Sequence, residues 1–363
     1  MRLIPLKYCK PGMRLAKNIY NEEGLVLLGQ HVELTTTIIQ RLKRLGIYRV
    51  YIEDARTEDI ELKEPLSDEL RTEALTIIRA NFLKFMNEAR SGPIRGNPNL
   101  GRDFQRLLDH IVDDMKNHDQ AMIMLNTIHT VDHYLFQHSL NVCLYALMLG
   151  KSLGYTQDQL RTLGLGAMLH DVGKTQIPEK ILLKPGLLTE EEMNLMRKHT
   201  EYGFQILKDV PNISLITAHC ALQHHERMNG RGYPRGIKGE EIHEYARLLG
   251  IVDTFDAMTT HRIYREAVLP HQAVEVLFAG SGDLYDPHMI RTFRDRVAIY
   301  PPGMSVELST GEVGVVVDIN ASLPHRPVVR ILWDENGQEL KDLYEIDLSK
   351  RLNITITRVN EEL

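Results

Sequence analysis

Hydrophobic residues recur every three or four positions along most of the chain, a spacing that predicts α-helices packed on an apolar core. The pattern is clear over residues 66–91, where Ser67 can cap the helix, and again over residues 102–116. From residue 120 to about 298, long stretches with helical periodicity are separated only by short Gly, Pro and Asn interruptions. We therefore predict a mainly α protein with a large central domain that is all-helical.

The two ends of the chain have a different pattern. Residues 1–60 contain short apolar stretches between turn signals, then helical spacing from Thr35 to Gly46 and a strand-like stretch at 50–52. After residue 300, β-branched runs follow one another, and Asn336-Gly337 is a typical hairpin turn between two of them. These features predict four segments: a small α+β N-terminal module over 1–62, a helical connector over 63–119, the central domain over 120–298, and a small β-barrel-like C-terminal module over 299–363.

The charge balance narrows the class of ligand. The chain has 363 residues, of which 43% are hydrophobic, and its 43 basic and 49 acidic residues give a formal net charge of −6. This balance argues against binding to a nucleic acid polymer, because proteins of that class normally present a basic surface. A small anionic ligand is still compatible with it, since a metal ion and a few arginines can make one pocket positive.

The sequence also predicts where the protein works. No apolar run is long enough to span a membrane, and the N-terminus lacks the apolar stretch of a signal peptide. The three cysteines, Cys9, Cys143 and Cys220, form no CxxC pair, which favours reduced thiols. We expect a cytoplasmic protein.

Histidine is concentrated in the middle of the chain, where ten of the sixteen histidines lie between His110 and His225. Two pairs, His170-Asp171 and His224-His225, stand where helical patterns break, so that neighbouring side chains can converge on one point. Because a buried carboxylate is costly unless it is paired or coordinated, Asp171 beside an imidazole favours a metal ligand. Imidazole and carboxylate donors without thiolate suit iron, manganese or zinc. A single His-Asp pair is a weak signal, and the whole group is a stronger one.

Two further segments carry candidate chemistry. Residues 224–239, HHERMNGRGYPRGIKG, combine glycines, Tyr233 and several cations, which suit contacts with phosphate and with the face of a base. Residues 250–267, GIVDTFDAMTTHRIYREA, place Asp253 and Asp256 on successive turns of an apolar helix. We interpret Asp253 as the metal ligand, and Asp256 as a helix cap or as a hydrogen-bond partner of a ligand.

Together these motifs resemble the HD-GYP family of bacterial cyclic di-GMP phosphodiesterases, a subgroup of the HD metal-dependent phosphohydrolases. The resemblance covers residues 125 to 290, about half of the chain, and its ordered series of motifs is far more specific than the HD pair alone. The matching motifs are HDVGK at 170–174, HTEYG at 199–203, HHERMNGRGYP at 224–234, VDTFDAMT at 252–259 and RIYREA at 262–267. The resemblance implies that the central domain is an HD-type domain.

The resemblance also implies a centre for two divalent ions, iron or manganese. The ligands of the first ion would be His138, His170, Asp171 and Asp253. Asp171 would bridge to the second ion, whose other ligands would be His199, His224 and His225.

Catalytic and substrate-binding roles follow from the same resemblance. His170, Asp171 and Lys174 would form the catalytic group, with Lys174 beside the scissile phosphate or the bridging hydroxide. The substrate would contact Lys174 and Tyr233, and also Arg262 and Arg265, which match positions that the family uses to hold cyclic di-GMP.

The chain departs from the family pattern at two places. Some members hold a third metal with a Glu four residues before the first ligand histidine, and Tyr134 occupies that position here. We therefore expect two metals, with Asp132 as the nearest carboxylate that could hold a third. Ile263 replaces a proline that is frequent in the family, which should change the stiffness of the loop without removing a ligand.

The implied function is metal-dependent hydrolysis of cyclic di-GMP to linear pGpG, and to GMP if the centre accepts a second phosphodiester. Hydroxide activated at the two-metal centre would attack the phosphate. Three alternatives stay open: a cyclic di-GMP receptor with weak catalysis, an HD phosphohydrolase of another nucleotide, and an oxygenase with a di-iron centre. The helices over residues 66–116 could form a homodimer interface, although a plain packing role explains them at least as well.

Overall fold

Helices dominate the middle of the chain and short strands dominate both ends, which confirms the mainly α fold expected from the hydrophobic periodicity. The structure is a computed structural model that describes residues 1–21, 25–61, 66–91, 99–116, 122–123, 134–260 and 267–359. Within these ranges, no helix combines the length and the apolar character needed to cross a membrane.

The N-terminal elements form a small α+β unit. In chain order they are β1 (Arg2–Pro5), β2 (Ile19–Tyr20), β3 (Val26–Leu28), α1 (Thr36–Arg44) and β4 (Arg49–Ile52). β1 pairs antiparallel with β4, so that Leu3 lies opposite Tyr51, and β2 pairs antiparallel with β3. The side chain of Thr35 caps α1 by accepting a hydrogen bond from the Ile38 backbone amide. Leu42 turns the apolar side of α1 into the core of this unit.

The two helices that follow belong to the main core of the molecule. These are α2 (Asp68–Ser91) and α3 (Leu100–Lys116). Ile78, Phe82 and Phe104 are fully buried, and they share one hydrophobic cluster with the later helices. The ring of Phe82 packs edge-on against Phe136, with 5.9 Å between the ring centroids. The apolar stripes of these helices pack within the chain, and a homodimer through them stays a prediction.

The remaining helices of this domain pack so that several of their ends lie close together. Its elements are β5 (Met122–Ile123), α4 (Tyr134–Ser152), α5 (Gln157–Leu169), α6 (Glu179–Leu182), α7 (Glu190–Arg197), α8 (His199–Leu207), α9 (Leu215–Gln223), α10 (Glu244–Thr259), α11 (Pro270–Ala279), α12 (Pro287–Arg296) and β6 (Val297–Ala298). β5 pairs with β6 in parallel. A short 3-10 helix, Val172–Gln176, follows α5 and packs against both α2 and α8. α4 packs against α5 and α10, while α9 packs against α5 and α8, so the ends of α5 and α9 meet at one place.

The C-terminal elements form one five-stranded antiparallel sheet. They are β7 (Ser305–Leu308), β8 (Val313–Asp318), β9 (Val328–Trp333), β10 (Glu339–Asp347) and β11 (Ile356–Val359), and their order across the sheet is β10-β9-β8-β7-β11. Gly337 has a φ of 75° in the turn that joins β9 to β10, as the Asn336-Gly337 signal predicts. The sequence indicated β8, β9 and β10, but neither β7 nor the edge strand β11.

The N-terminal unit and the C-terminal sheet pack against each other, although they lie at opposite ends of the sequence. Tyr51, Val315 and Leu332 are buried in one shared hydrophobic cluster. At its edge, the Arg330 guanidinium donates to both carboxylate oxygens of Asp59, at 2.5 Å and 2.6 Å. The sequence predicted two separate modules and gave no sign of this contact. The limits of the four predicted segments remain a prediction.

Candidate metal centre

The predicted metal ligands come from five separate parts of the helical domain and meet at its centre. The helix ends predicted at His170-Asp171 and His224-His225 are present, since α5 ends at Leu169 and α9 ends at Gln223. His199 begins α8, while α4 and α10 contribute residues from within their length. The side chains placed there are His138, His170, Asp171, His199, His224, His225 and Asp253.

One group of predicted ligands lies near Asp171 Oδ2. The donor atoms of His138, His170 and Asp171 all lie within 4.8 Å of one another. The Nε2 atoms of His138 and His170 are 3.5 Å and 3.4 Å from Asp171 Oδ2. Asp253 Oδ1 lies 3.1 Å from His138 Nε2 and 4.0 Å from His170 Nε2. Two imidazoles and two carboxylates therefore face one another at this point.

A second group lies on the other side of the same carboxylate. The donor atoms of His199, His224 and His225 also lie within 4.8 Å of one another. Asp171 Oδ1 is 3.5 Å from His199 Nε2 and 3.8 Å from His224 Nε2. Asp253 reaches this group too, since its Oδ2 lies 3.9 Å from His225 Nδ1. The sequence assigned Asp253 to the first group alone, whereas its two oxygens face both.

Backbone carbonyls orient three of the imidazoles. In each case Nδ1 donates to a carbonyl in the preceding turn, which leaves the lone pair of Nε2 directed at the centre. His170 donates to Ala167 at 2.7 Å, and His199 donates to Met196 at 2.7 Å. His224 lies within hydrogen-bond distance of two carbonyls, those of Ala221 at 3.0 Å and Cys220 at 3.1 Å.

A carboxylate orients His138 instead. Its Nδ1 lies 2.7 Å from Asp256 Oδ2, and Asp256 Oδ1 accepts a hydrogen bond from Asn141 Nδ2 at 2.9 Å. Asp256 therefore takes the second of the two roles that the sequence left open, the hydrogen-bond partner of a predicted ligand. Asn141 was missed, and the available signal was its position one turn after His138 on α4.

Burial keeps the imidazoles of the second group neutral. It lowers the pKa of His199 to about 4, and it holds the pKa values of His224 and His225 well below the ordinary value. A neutral imidazole is the form that binds a metal ion. At pH 7 these three side chains are therefore ready to act as ligands.

His138 and Asp171 are charged in the metal-free protein. Burial opposes protonation of His138, but its hydrogen bonds to Asp253 and Asp256 outweigh burial and raise its pKa to about 9. Burial likewise acts to raise the pKa of Asp171, yet the charge of Lys174 and the neighbouring histidines hold that pKa well below its usual range. Lys174 Nζ lies 2.5 Å from Asp171 Oδ2. The predicted catalytic lysine thus lies at the centre.

Gly173 allows the 3-10 helix after Asp171 to lie close to α8, which begins with His199. A Cβ atom at Gly173 would lie 1.9 Å from the His199 carbonyl oxygen and 2.4 Å from the Gly203 backbone nitrogen. Only a residue without a side chain fits between the 3-10 helix and α8 at this distance. Gly173 therefore allows His199 to lie beside Asp171.

The segment that follows His225 covers one side of the centre. The Tyr233-Pro234 peptide bond is cis, and the Tyr233 ring stacks on His225 with 4.7 Å between centroids and 30° between planes. Arg227, one of the cations of this segment, donates to the carbonyls of His224 and Glu226, both at 2.9 Å, so it supports the backbone. Two predicted substrate contacts, Arg262 and Arg265, lie outside the described residues, as do Asp132 and Ile263.

The donor set fits a divalent metal ion. His170 Nε2 and Asp171 Oδ1 are buried and have no hydrogen-bond partner among the described residues. Leaving such groups unsatisfied costs about 1–3 kcal/mol each, and coordination to a cation would satisfy them. Nitrogen and oxygen donors without thiolate suit iron, manganese or zinc.

Known protein families match both the helical domain and the C-terminal sheet. Residues 113–289 match the HD domain family, and residues 305–362 match a KOW domain associated with HD domains. The first match contains every described ligand of the candidate centre. The second covers the C-terminal sheet from β7 to β11.

Several relatives resemble this chain over long stretches. The chain is 31% identical to the cyclic di-GMP phosphodiesterase PA4108 of Pseudomonas aeruginosa over 287 residues, which cover 78% of this chain and 68% of the relative. It is 41% identical over 144 residues to the cyclic di-GMP phosphodiesterase response regulator RpfG of Xanthomonas campestris, covering 39% and 38% of the two chains. It is also 35% identical over 157 residues to 3′3′-cGAMP-specific phosphodiesterase 1 of Vibrio cholerae, covering 43% and 36%. The chain thus spans less than two fifths of the last two relatives.

Proposed function

This chain belongs to the HD-GYP family of HD-domain phosphodiesterases, and on that premise we propose that it hydrolyses cyclic di-GMP to linear pGpG in a metal-dependent reaction. The observation that carries the proposal is the position of the Asp171 carboxylate. Its Oδ2 faces His138 and His170, while its Oδ1 faces His199 and His224. A carboxylate between two groups of imidazoles is suited to bridge two divalent ions.

Each group of donors would hold one ion, iron or manganese. The first would be bound by His138, His170, Asp171 and Asp253. The second would be bound by Asp171, His199, His224 and His225. When bound, such ions activate water and neutralise charge on the phosphate oxygens. The full set of donors favours an enzyme over a receptor with weak catalysis.

Lys174 and Tyr233 would act on the substrate. Lys174 is mostly buried, and its ammonium group lies against Asp171, so it can donate to an oxygen of the phosphate held there. Tyr233 presents an aromatic ring beside His225, and a guanine base can contact the edge of this ring. Arg262 and Arg265 would contribute further contacts to cyclic di-GMP. Because pGpG still contains a phosphodiester, the same centre can cleave it to GMP.

The test is turnover of cyclic di-GMP by anaerobically purified protein loaded with ferrous iron or manganese. His170→Ala and Asp171→Ala should each lower the rate at least a hundredfold, because each removes a proposed ligand. His288→Ala is the matched control, since His288 is exposed at the start of α12 and should leave the rate unchanged. Full activity in either ligand variant would refute the proposal.

A second substrate has support from the relatives. One of them is named for 3′3′-cGAMP, which is also a cyclic dinucleotide with two phosphodiesters in one ring. We expect cyclic di-GMP to have the higher kcat/KM, because the relative that matches 78% of this chain is named a cyclic di-GMP phosphodiesterase. Measuring kcat/KM for both compounds with the same metal decides between them.

A further inference from the structure

We propose that Arg197 binds the phosphodiester of the cyclic dinucleotide that is not being cleaved. This inference rests on the proposed function and adds to it a residue that selects cyclic dinucleotides over simpler phosphodiesters. Arg197 is the last residue of α7, and none of the motifs that identified the centre includes it.

The backbone of Arg197 is fixed to the frame of the candidate centre. Its carbonyl accepts a hydrogen bond from Thr200 Oγ1 at 3.0 Å. The preceding carbonyl, that of Met196, accepts from Nδ1 of the proposed ligand His199 at 2.7 Å. The chain therefore leaves α7 and enters α8 with Arg197 held two positions from a ligand.

The side chain of Arg197 lies at the mouth of the site. Its guanidinium carbon is 5.6 Å from the centroid of the Tyr233 ring, within the range of a cation–π contact. Tyr233 in turn stacks on His225. His225, Tyr233 and Arg197 form a series of stacked side chains. Exposure increases from its first member to its last, since the side chain of His225 is 19% exposed and Arg197 is an exposed residue. The series thus leads from the buried centre to solvent.

The guanidinium is available to an anion. Its hydrogen bond goes to the neutral Asn194 Oδ1, at 3.3 Å, and among the described residues no carboxylate forms an ion pair with it. Other cations differ, since Lys174 pairs with Asp171 and Arg161 pairs with Asp109. A guanidinium that lies over an aromatic ring uses its face, so its N–H edges can still bind a phosphate.

The shape of the substrate supplies a phosphate for this position. A cyclic dinucleotide carries two phosphodiesters in one ring, and the one being cleaved must lie at Asp171 and Lys174. The second must then lie away from the buried donors, towards the mouth formed by Tyr233 and Arg197. An arginine can bind it through two N–H groups, which fixes the ring relative to the centre.

The experiment compares two substrates in three proteins loaded with manganese: wild type, Arg197→Gln and Lys208→Gln. Lys208 is the matched control, because it lies at the far end of α8 and is a surface cation near Asp209. We expect Arg197→Gln to raise KM for cyclic di-GMP about tenfold, as the loss of a charged hydrogen bond predicts. Its kcat/KM for bis(p-nitrophenyl) phosphate, which has a single phosphodiester, should stay within about twofold of wild type.

Binding measured without turnover gives a second readout. In a His170→Ala background, calorimetry should show that adding Arg197→Gln weakens cyclic di-GMP binding about tenfold, while adding Lys208→Gln does not.

The outcomes separate the two proposals. An unchanged KM for cyclic di-GMP in Arg197→Gln, or an equal loss on both substrates, would overturn the role of Arg197 and leave the proposed function standing. A wild-type protein that cleaves bis(p-nitrophenyl) phosphate but neither cyclic di-GMP nor 3′3′-cGAMP would refute the proposed function, and the role of Arg197 with it.

Discussion

His138 differs from the other histidines of the candidate centre because both of its ring nitrogens face carboxylates. Nδ1 lies 2.7 Å from Asp256, and Nε2 lies 3.1 Å from Asp253. The other orienting partners in the centre are neutral backbone carbonyls, such as that of Ala167 for His170. His138 therefore carries a second ring proton in the metal-free protein, unlike His199, His224 and His225, whose pKa values are lowered by burial. The proton on Nε2 must leave before this atom can bind a metal.

Metal binding should release that proton. Because the pKa of His138 is about 9 without metal, the residue is protonated at pH 7, and the affinity for manganese should rise as the pH increases towards 9. Calorimetry at pH 7, 8 and 9 should show an increase of up to about tenfold per pH unit for the first ion. Asp256→Asn should flatten this dependence, because it removes one of the two carboxylates that stabilise the proton. Equal affinities at pH 7 and pH 9 in the wild type would contradict this account of His138.

Among the elements, the contact between the 3-10 helix Val172–Gln176 and α8 decides whether the two ligand groups meet. The 3-10 helix follows Asp171, and α8 begins with His199, so their separation fixes the distance between these ligands. Gly173 sets that separation, since its neighbour across the contact is the backbone of α8 itself.

Gly173→Ala should therefore destabilise the protein and disrupt the centre together. The new methyl group would lie 1.9 Å from the His199 carbonyl oxygen, and relief of such an overlap costs about 1–3 kcal/mol. Urea unfolding should show this loss, with a lower metal content in the purified variant. Gly29→Ala is the control, because a Cβ there meets only Asn18 Oδ1, at 4.0 Å. Wild-type stability and metal content in Gly173→Ala would show that the contact is not required.

The sequence predicts the elements of the centre better than their mutual position. Helix ends at Leu169 and Gln223 follow from the local loss of apolar periodicity, so the two ligand pairs could be located. The approach of His138 to Asp253 was implied by the family resemblance alone, because it depends on how α4 packs against α10 over a separation of more than a hundred residues, which periodicity does not report. The position of Asp253 between both ligand groups was not predicted at all.

At the scale of the whole molecule, the two ends of the chain form one packed unit. Leu3 and Tyr51 from the first strands share a buried cluster with Val315 and Leu332 from the C-terminal sheet. Each end reads as a separate module in the sequence, since hydrophobic alternation reports which face of a strand is buried and not what covers it. The shared core therefore became visible only in the structure.

Leu332→Ala should loosen both ends at once. Leu332 is fully buried between them, and its truncation should cost about 2–5 kcal/mol. Hydrogen exchange should become faster in β1 and β4 as well as in β8 and β9. Leu352→Ala is the control, because Leu352 is 66% exposed and its truncation should change neither region. Faster exchange confined to the C-terminal sheet would mean that the two ends unfold independently.

Asp171 is proposed to hold two metal ions between two groups of histidines. The most direct measurement is the metal content per chain of anaerobically purified wild-type, Asp171→Ala and His288→Ala proteins, determined by elemental analysis. We expect about two divalent ions in the wild type and in His288→Ala, and a clear loss in Asp171→Ala. A wild-type chain that turns over cyclic di-GMP without bound metal, or an Asp171→Ala chain that retains both ions, would refute this role of Asp171.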